Sequence, residues 1–209
     1  MTETDDYPRF ASRGRCYVYV FPCRDADELK LGFSREPLER LHTLHRRYFE
    51  FFDLDRGLLV ETDRVADARK LERLCITTFA SARSTAPLAI RDAAGGHTEW
   101  FRGIADDVGG LLRRVCEEEG LVLHDPLSAW LRAQFEEFGD AIHDWSACML
   151  AQIEYEHFNP SASESSSSVA RVLRDVLDAC LTVGGKQIEK RIPNKVLEWY
   201  HMPSFSCSF

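Results

Sequence analysis

The chain has 209 residues, of which 44% are hydrophobic and 29% charged, enough for one domain of ordinary size with appendages and a real core. No stretch approaches the roughly 18 unbroken apolar residues of a membrane span, and the acidic start Met1-Thr2-Glu3-Thr4-Asp5-Asp6 has the wrong sign for a signal peptide. A cytoplasmic protein with no membrane partner is expected. The seven cysteines are odd in number, scattered and without a Cys-x-x-Cys pair, which argues against a disulfide framework or a zinc knuckle. A net charge of −8 disfavours an unspecialised nucleic-acid binder, but the acidity is local: residues 1–110 carry −2, residues 111–168 carry −8 and residues 169–209 carry +2.

Arg15 to Phe21 is β-rich and places Tyr17, Tyr19 and Phe21 on one face with Cys16, Val18 and Val20 on the other. The polar run Arg24 to Glu28 closes this strand, and Leu29-Lys30-Leu31-Gly32-Phe33 predicts a second, joined to the first as a hairpin. Ser34 and Pro37 then open a helix over about 37–48, with Leu38, Leu41 and Leu44 as its apolar stripe. Residues 57–61 predict a third strand. A second helix over about 64–80 aligns Ala68, Cys75 and Phe79, and sets Glu72 on that same apolar line.

A loop is expected over 87–96, then renewed order at His97-Thr98-Glu99-Trp100-Phe101 and a helix over about 104–119. The fold class is therefore α+β: a small three-stranded antiparallel sheet flanked by helices over residues 14–119, followed by a helical C-terminal region. Within the latter, residues 120–160 form an acidic, aromatic-rich helical stretch, the Ser-rich run 161–168 reads as a flexible linker, and 169–209 gives a short helix and a basic-aromatic tail. The acids of the helical stretch would repel a phosphate backbone, so self-association or a protein partner is expected through residues 125–158. In the tail, Lys186, Lys190, Arg191 and Lys195 could meet phosphates beside Trp199, Tyr200, His201 and Phe205, or the tail could fold back on the helices.

Tyr17-Val18-Tyr19, Lys30-Leu31-Gly32, Arg40 eight residues after that glycine, the helix Ala68-Arg69-Lys70-Leu71-Glu72 and the run Glu99-Trp100-Phe101 occur in an order that resembles the GIY-YIG nuclease superfamily, across about residues 14–102. Lys30 stands where most members have tyrosine, as in a branch that also shares the Glu-Trp-Phe ending. The resemblance implies a metal-dependent endonuclease acting on DNA, in phage defence, repair or mobile-element biology. By position it implies Tyr19 as general base, Lys30 as its electrostatic partner, Arg40 as phosphate clamp and Glu72 as the ligand of Mg²⁺ or Mn²⁺. The glycine two before Tyr19 and the late asparagine of many members are not in evidence.

Those residue types also suit the chemistry on their own terms. Phosphodiester hydrolysis needs a base for water, positive charge on the transition state and a cation for the leaving oxygen. A neighbouring Lys30 would lower the Tyr19 phenol from about 10, the guanidinium of Arg40 suits a phosphate, and Glu72 is a hard oxygen ligand. Tyr17 and His45 are further candidates for the site, with Arg35, His42, Arg46 and Arg47 as a nucleic-acid-facing edge. Plainer readings stand beside these: Tyr17 and Tyr19 as core aromatics, Arg40 paired with Glu36 along its helix, Glu72 covered by Arg69 or Arg73, and the histidines as solvated helix residues. The alternative function is a nuclease-like module that binds nucleic acid or a protein without cutting.

Overall fold

The computed structural model describes residues 15–90, 97–159 and 163–202. The chain divides between Arg132 and Ala133 into two compact units, and the unit that precedes this boundary holds the sheet.

That sheet has six strands, all antiparallel, where three were expected: β1 (Cys16–Pro22), β2 (Glu28–Ser34), β3 (Leu58–Thr62), β4 (Arg83–Ser84), β5 (Trp100–Arg102) and β6 (Val122–His124). Their order is β4-β5-β2-β1-β3-β6. The three expected strands form its centre, and the additions are strands of two or three residues, too short to show an alternating pattern in the sequence. β1 is buried along its whole length, as its apolar residues on both faces require.

Cross-strand register fixes which residues share a face. Cys16, Val18 and Val20 face a core that Leu29, Leu31, Leu58, Val60 and Phe101 build with two helices, α3 (Val65–Thr78) through Ala68, Leu71 and Cys75, and α4 (Ala105–Glu119) through Val108, Leu112 and Cys116. The other face carries Tyr19 paired with Gly32 and Leu59, Tyr17 paired with Ser34 and Glu61, and Lys30 paired with Phe21 and Trp100. α1 (Pro37–Leu44) follows β2, buries Leu38, Leu41 and Leu44, and ends where His45 turns extended. A single helical turn, α2 (Tyr48–Phe51), follows in place of the continuous helix expected to residue 48. Gly120, with φ +69°, ends α4 in the left-handed conformation that glycine adopts without cost.

In α5 (Leu127–Glu137) the N-terminal turn is tied to the loop before β3 by Leu127 N–H to the Gly57 carbonyl (2.7 Å) and Ser128 Oγ to the Asp55 carboxylate (2.6 Å). The second unit holds α6 (Gly139–Phe158), α7 (Ser163–Ala179), a π turn at Cys180–Gly184, α8 (Gly185–Glu189) and α9 (Asn194–His201). The Ser-rich run expected as a linker is helical from Ser163 onward, forming the first turns of α7; Ser161 and Ala162 lie outside the described residues. Lys195 meets Glu154 at 2.7 Å, Arg191 meets Asp140 at 2.9 Å, Arg174 lies over the Trp199 ring, and Tyr200 donates to Asp178. Of the two readings of the tail, these contacts fit the one in which it folds back on the helices. Phe205 lies outside the described residues. No described helix is long and apolar enough to cross a membrane.

Candidate functional site

The site is built on the centre of the sheet. β1 projects Tyr19 across the adjacent Gly32 of β2, so closely that the ring occupies the space a side chain at 32 would need. The ring is stacked on Phe21 at 4.3 Å and is 2% exposed. Arg40, one turn into α1, donates from Nε to the Tyr19 hydroxyl at 3.2 Å. Burial pushes the Tyr19 phenol above its ordinary value, and the Arg40 charge and hydrogen bond oppose that rise without reversing it.

Lys30, two residues before Gly32, was expected to be the cation that lowers Tyr19. The structure gives that position to Arg40. The Lys30 ammonium, 1% exposed, donates to the Thr98 carbonyl (2.6 Å), the Leu31 carbonyl (3.1 Å) and the Glu99 carboxylate (3.1 Å). Burial lowers its pKa, and the Glu99 charge works against that. Glu99 is half-buried and takes a second hydrogen bond from Thr98 Oγ1 at 2.5 Å. Burial pushes its carboxyl up, but Thr98 and Lys30 together outweigh this and hold it below its ordinary value.

Glu72 sits on α3 beside the buried Leu71 and is itself half-buried. Burial and the nearby charge of Glu99 raise its carboxyl, while Lys30, Arg69 and Arg73 pull it down. Its field reaches both Tyr19 and Lys30. A half-buried carboxylate within electrostatic reach of a second one could contribute to holding a divalent cation. Among the described residues no group of three or more His, Cys, Asp and Glu could hold a metal, so a cation here would have one or two carboxylates and keep most of its waters. That is the habit of Mg²⁺ and Mn²⁺ rather than of structural zinc.

The structure thus gathers Tyr19, Lys30, Arg40 and Glu72, and adds Thr98 and Glu99. The remaining candidates take other places. Tyr17 shares the Tyr19 face but packs edge-on to Trp130 (5.6 Å) and near His124, beside a Glu61 carboxylate that accepts from both Arg15 and His124. Burial and Glu61 raise the Tyr17 phenol. His45 stacks on Phe51 at 4.5 Å, with a buried Nδ1 that has no hydrogen-bond partner among the described residues. Arg47 makes a two-pronged contact with Glu50 (2.7 and 2.6 Å) and lies over Phe49. Arg35 is exposed, and His42 and Arg46 are half-buried on the same stretch of chain.

Glu99 is the residue that site reading from the sequence missed. Its one signal was membership of the Glu-Trp-Phe run; its contact with Lys30 spans 69 positions and no local periodicity reports it.

Residues 16–116 match the model of the T5orf172 domain. That stretch contains every residue of the gathered site. No curated protein and no solved structure matches the chain.

Proposed function

We propose that the sheet unit is a nuclease module of the GIY-YIG type that hydrolyses phosphodiester bonds in DNA with Mg²⁺ or Mn²⁺. The observation that carries this reading is the contact between Arg40 and the Tyr19 hydroxyl over Gly32, with the Glu72 carboxylate within electrostatic reach. The match of residues 16–116 to the T5orf172 domain, which suggests a nuclease-like function, supports it.

In this reading Arg40 meets the scissile phosphate, its guanidinium supplying donors and a permanent charge to the transition state. Tyr19 would orient the attacking water and, as the phenolate, take its proton, its own phenolic proton having first left to solvent, a loss that the Arg40 charge and a bound cation would favour. Glu72 would hold the cation, which would neutralise the leaving oxygen. The protein's share is positioning: Gly32 admits the Tyr19 ring, and Phe21 holds it flat.

One observation favours the second reading, a module that binds without cutting. The Tyr19 phenol is raised, opposite in direction to an activated base. For the helical unit, Tyr155 and Phe158 stand 67% and 80% exposed one turn apart on α6, an apolar pair more suited to a protein surface than to a phosphate backbone.

Cleavage of single-stranded and supercoiled DNA with Mg²⁺ or Mn²⁺, comparing the wild type with Glu72→Ala, separates the two readings. Cutting that disappears in a folded Glu72→Ala supports the nuclease. Failure of the wild type to cut either substrate with either metal transfers the case to the binding module.

A further inference from the structure

A lysine ammonium carries three protons, and Lys30 has three acceptors in place: the Leu31 carbonyl, the Thr98 carbonyl and Glu99 Oε2. It is buried almost completely. In this arrangement no proton is left for a substrate phosphate or for Tyr19. Lys30 would therefore act on the site through its field and not as a donor.

Glu99 is held with unusual completeness on the other side of the pair. It is the one non-glycine residue among those described with a positive φ, +57°, a left-handed conformation that a residue with a Cβ keeps only when its surroundings dictate it. Its carbonyl accepts from Leu31 N–H (3.0 Å), and its carboxylate takes both Lys30 and Thr98 Oγ1. The pinned residue stands immediately before the Trp100–Lys30 register pair that begins the β2–β5 ladder. Its charge reaches Glu72 and Tyr19.

We propose that Glu99 is a positioning residue of this site, which with the Thr98 and Leu31 carbonyls locks Lys30 as a fixed internal charge within reach of Glu72 instead of a phosphate-binding side chain. The substrate side of this inference rests on the nuclease reading; the lock itself does not.

The test is nuclear magnetic resonance of the lysine ammonium and arginine Nε–H groups in the full chain, titrated with a single-stranded oligonucleotide without divalent cation, together with cleavage kinetics. In the wild type the Lys30 signal is slow to exchange and stays in place on saturation, while the Arg40 signal moves. Glu99→Gln abolishes the Lys30 signal and lowers kcat at least about tenfold with KM within about twofold. Adding Lys30→Met to Glu99→Gln costs nothing more, as expected for residues acting as one unit. Thr98→Val, a milder change that removes one hydrogen bond to Glu99, loses activity in the same direction and guards against a Glu99→Gln that does not fold.

A Lys30 signal that moves with the oligonucleotide, a Glu99→Gln defect confined to KM, or losses that multiply in the double variant overturns the proposal. Wild-type protein that neither binds nor cuts sinks the nuclease reading alone. The lock is then decided by Glu99→Gln itself: an unchanged Lys30 signal, or an Arg40 Nε–H signal that does not shift, means that Glu99 positions nothing.

Discussion

A Cβ on Gly32 would stand 2.4 Å from the Tyr19 hydroxyl oxygen and 2.6 Å from the ring carbon Cζ. The two residues are cross-strand partners in the β1–β2 hairpin, so the missing side chain of one is the seat of the other. Gly32→Ala therefore forces the ring aside and breaks its contact with Arg40. The expected cost is about 1–3 kcal/mol of stability and about a hundredfold in cleavage rate. A denaturant midpoint and a rate on the same sample check both, and a full rate would show that the position of Tyr19 is unimportant.

Tyr17 and Tyr19 lie on one face two residues apart, yet only Tyr19 touches Arg40. Tyr19→Phe is expected to lower kcat by roughly 10²–10⁴, whereas Tyr17→Phe, which keeps the packing on Trp130, changes it by less than about threefold. Parallel rate measurements on the two variants decide it. Equal losses would mean that the site is misplaced on the face.

Arg40 donates from Nε, an atom that lysine lacks. Arg40→Lys keeps the charge but loses the hydrogen bond to Tyr19 and the planar fork. Cleavage by Arg40→Lys should stay down by about 10²–10³, close to the loss in Arg40→Ala. Recovery of most of the rate by lysine would show that charge alone suffices.

The raised Glu72 carboxyl gives a pH dependence with a definite sign. Its folded value lies above its unfolded one, so the proton is held more tightly in the native state. The contribution to stability is present at acid pH, below the ordinary carboxyl range, and is lost as pH rises through the folded value. In the absence of divalent cation, Glu72→Gln should raise the thermal midpoint near neutral pH, and the gap from wild type should close as the pH falls. Saturating Mg²⁺ should stabilise the wild type and leave Glu72→Gln unmoved. A gap that widens in acid would mean that Glu72 is held by its arginine neighbours instead.

In the helical unit, Arg191 and Lys195 answer to Asp140 and Glu154. Each pair is exposed, so Arg191→Ala or Lys195→Ala should cost no more than about 1 kcal/mol. Neither should change the salt dependence of oligonucleotide binding, because neither side chain is given to phosphate. A shallower salt slope in either variant would return the tail to the nucleic-acid surface.

The parts of this molecule that the sequence discloses are those with a local cause. Alternation in residues 15–21, the Ser34 and Pro37 opening of α1, and the apolar line of α3 led to elements whose centres the structure retains. Glu72 could be singled out because it breaks the apolar line of its helix, whereas Tyr19 and Arg40 stood out only through the motif order that resembles a known nuclease superfamily. What escaped has a non-local cause. β4, β5 and β6 are held by pairing with distant strands, so two or three residues suffice and no period forms. Lys30 was given the wrong neighbour because its true one arrives from residues 98–99. The serines at 163–168 have a composition suited to a linker, but they continue directly into the amphipathic run Val169 to Ala179 as one helix.

The sheet closes at each end on a very short strand: Arg83–Ser84 on one side, Val122–His124 on the other. An incoming extended chain would find only two or three ladder positions there, too few to grip. Long edges are templates for aggregation and for joining copies by strand addition, and among the described residues this sheet ends on none. Assembly through this sheet would then be made by side chains meeting side chains, and its specificity could be rewritten by surface substitution without touching the hydrogen-bonded frame that holds Tyr19 in place.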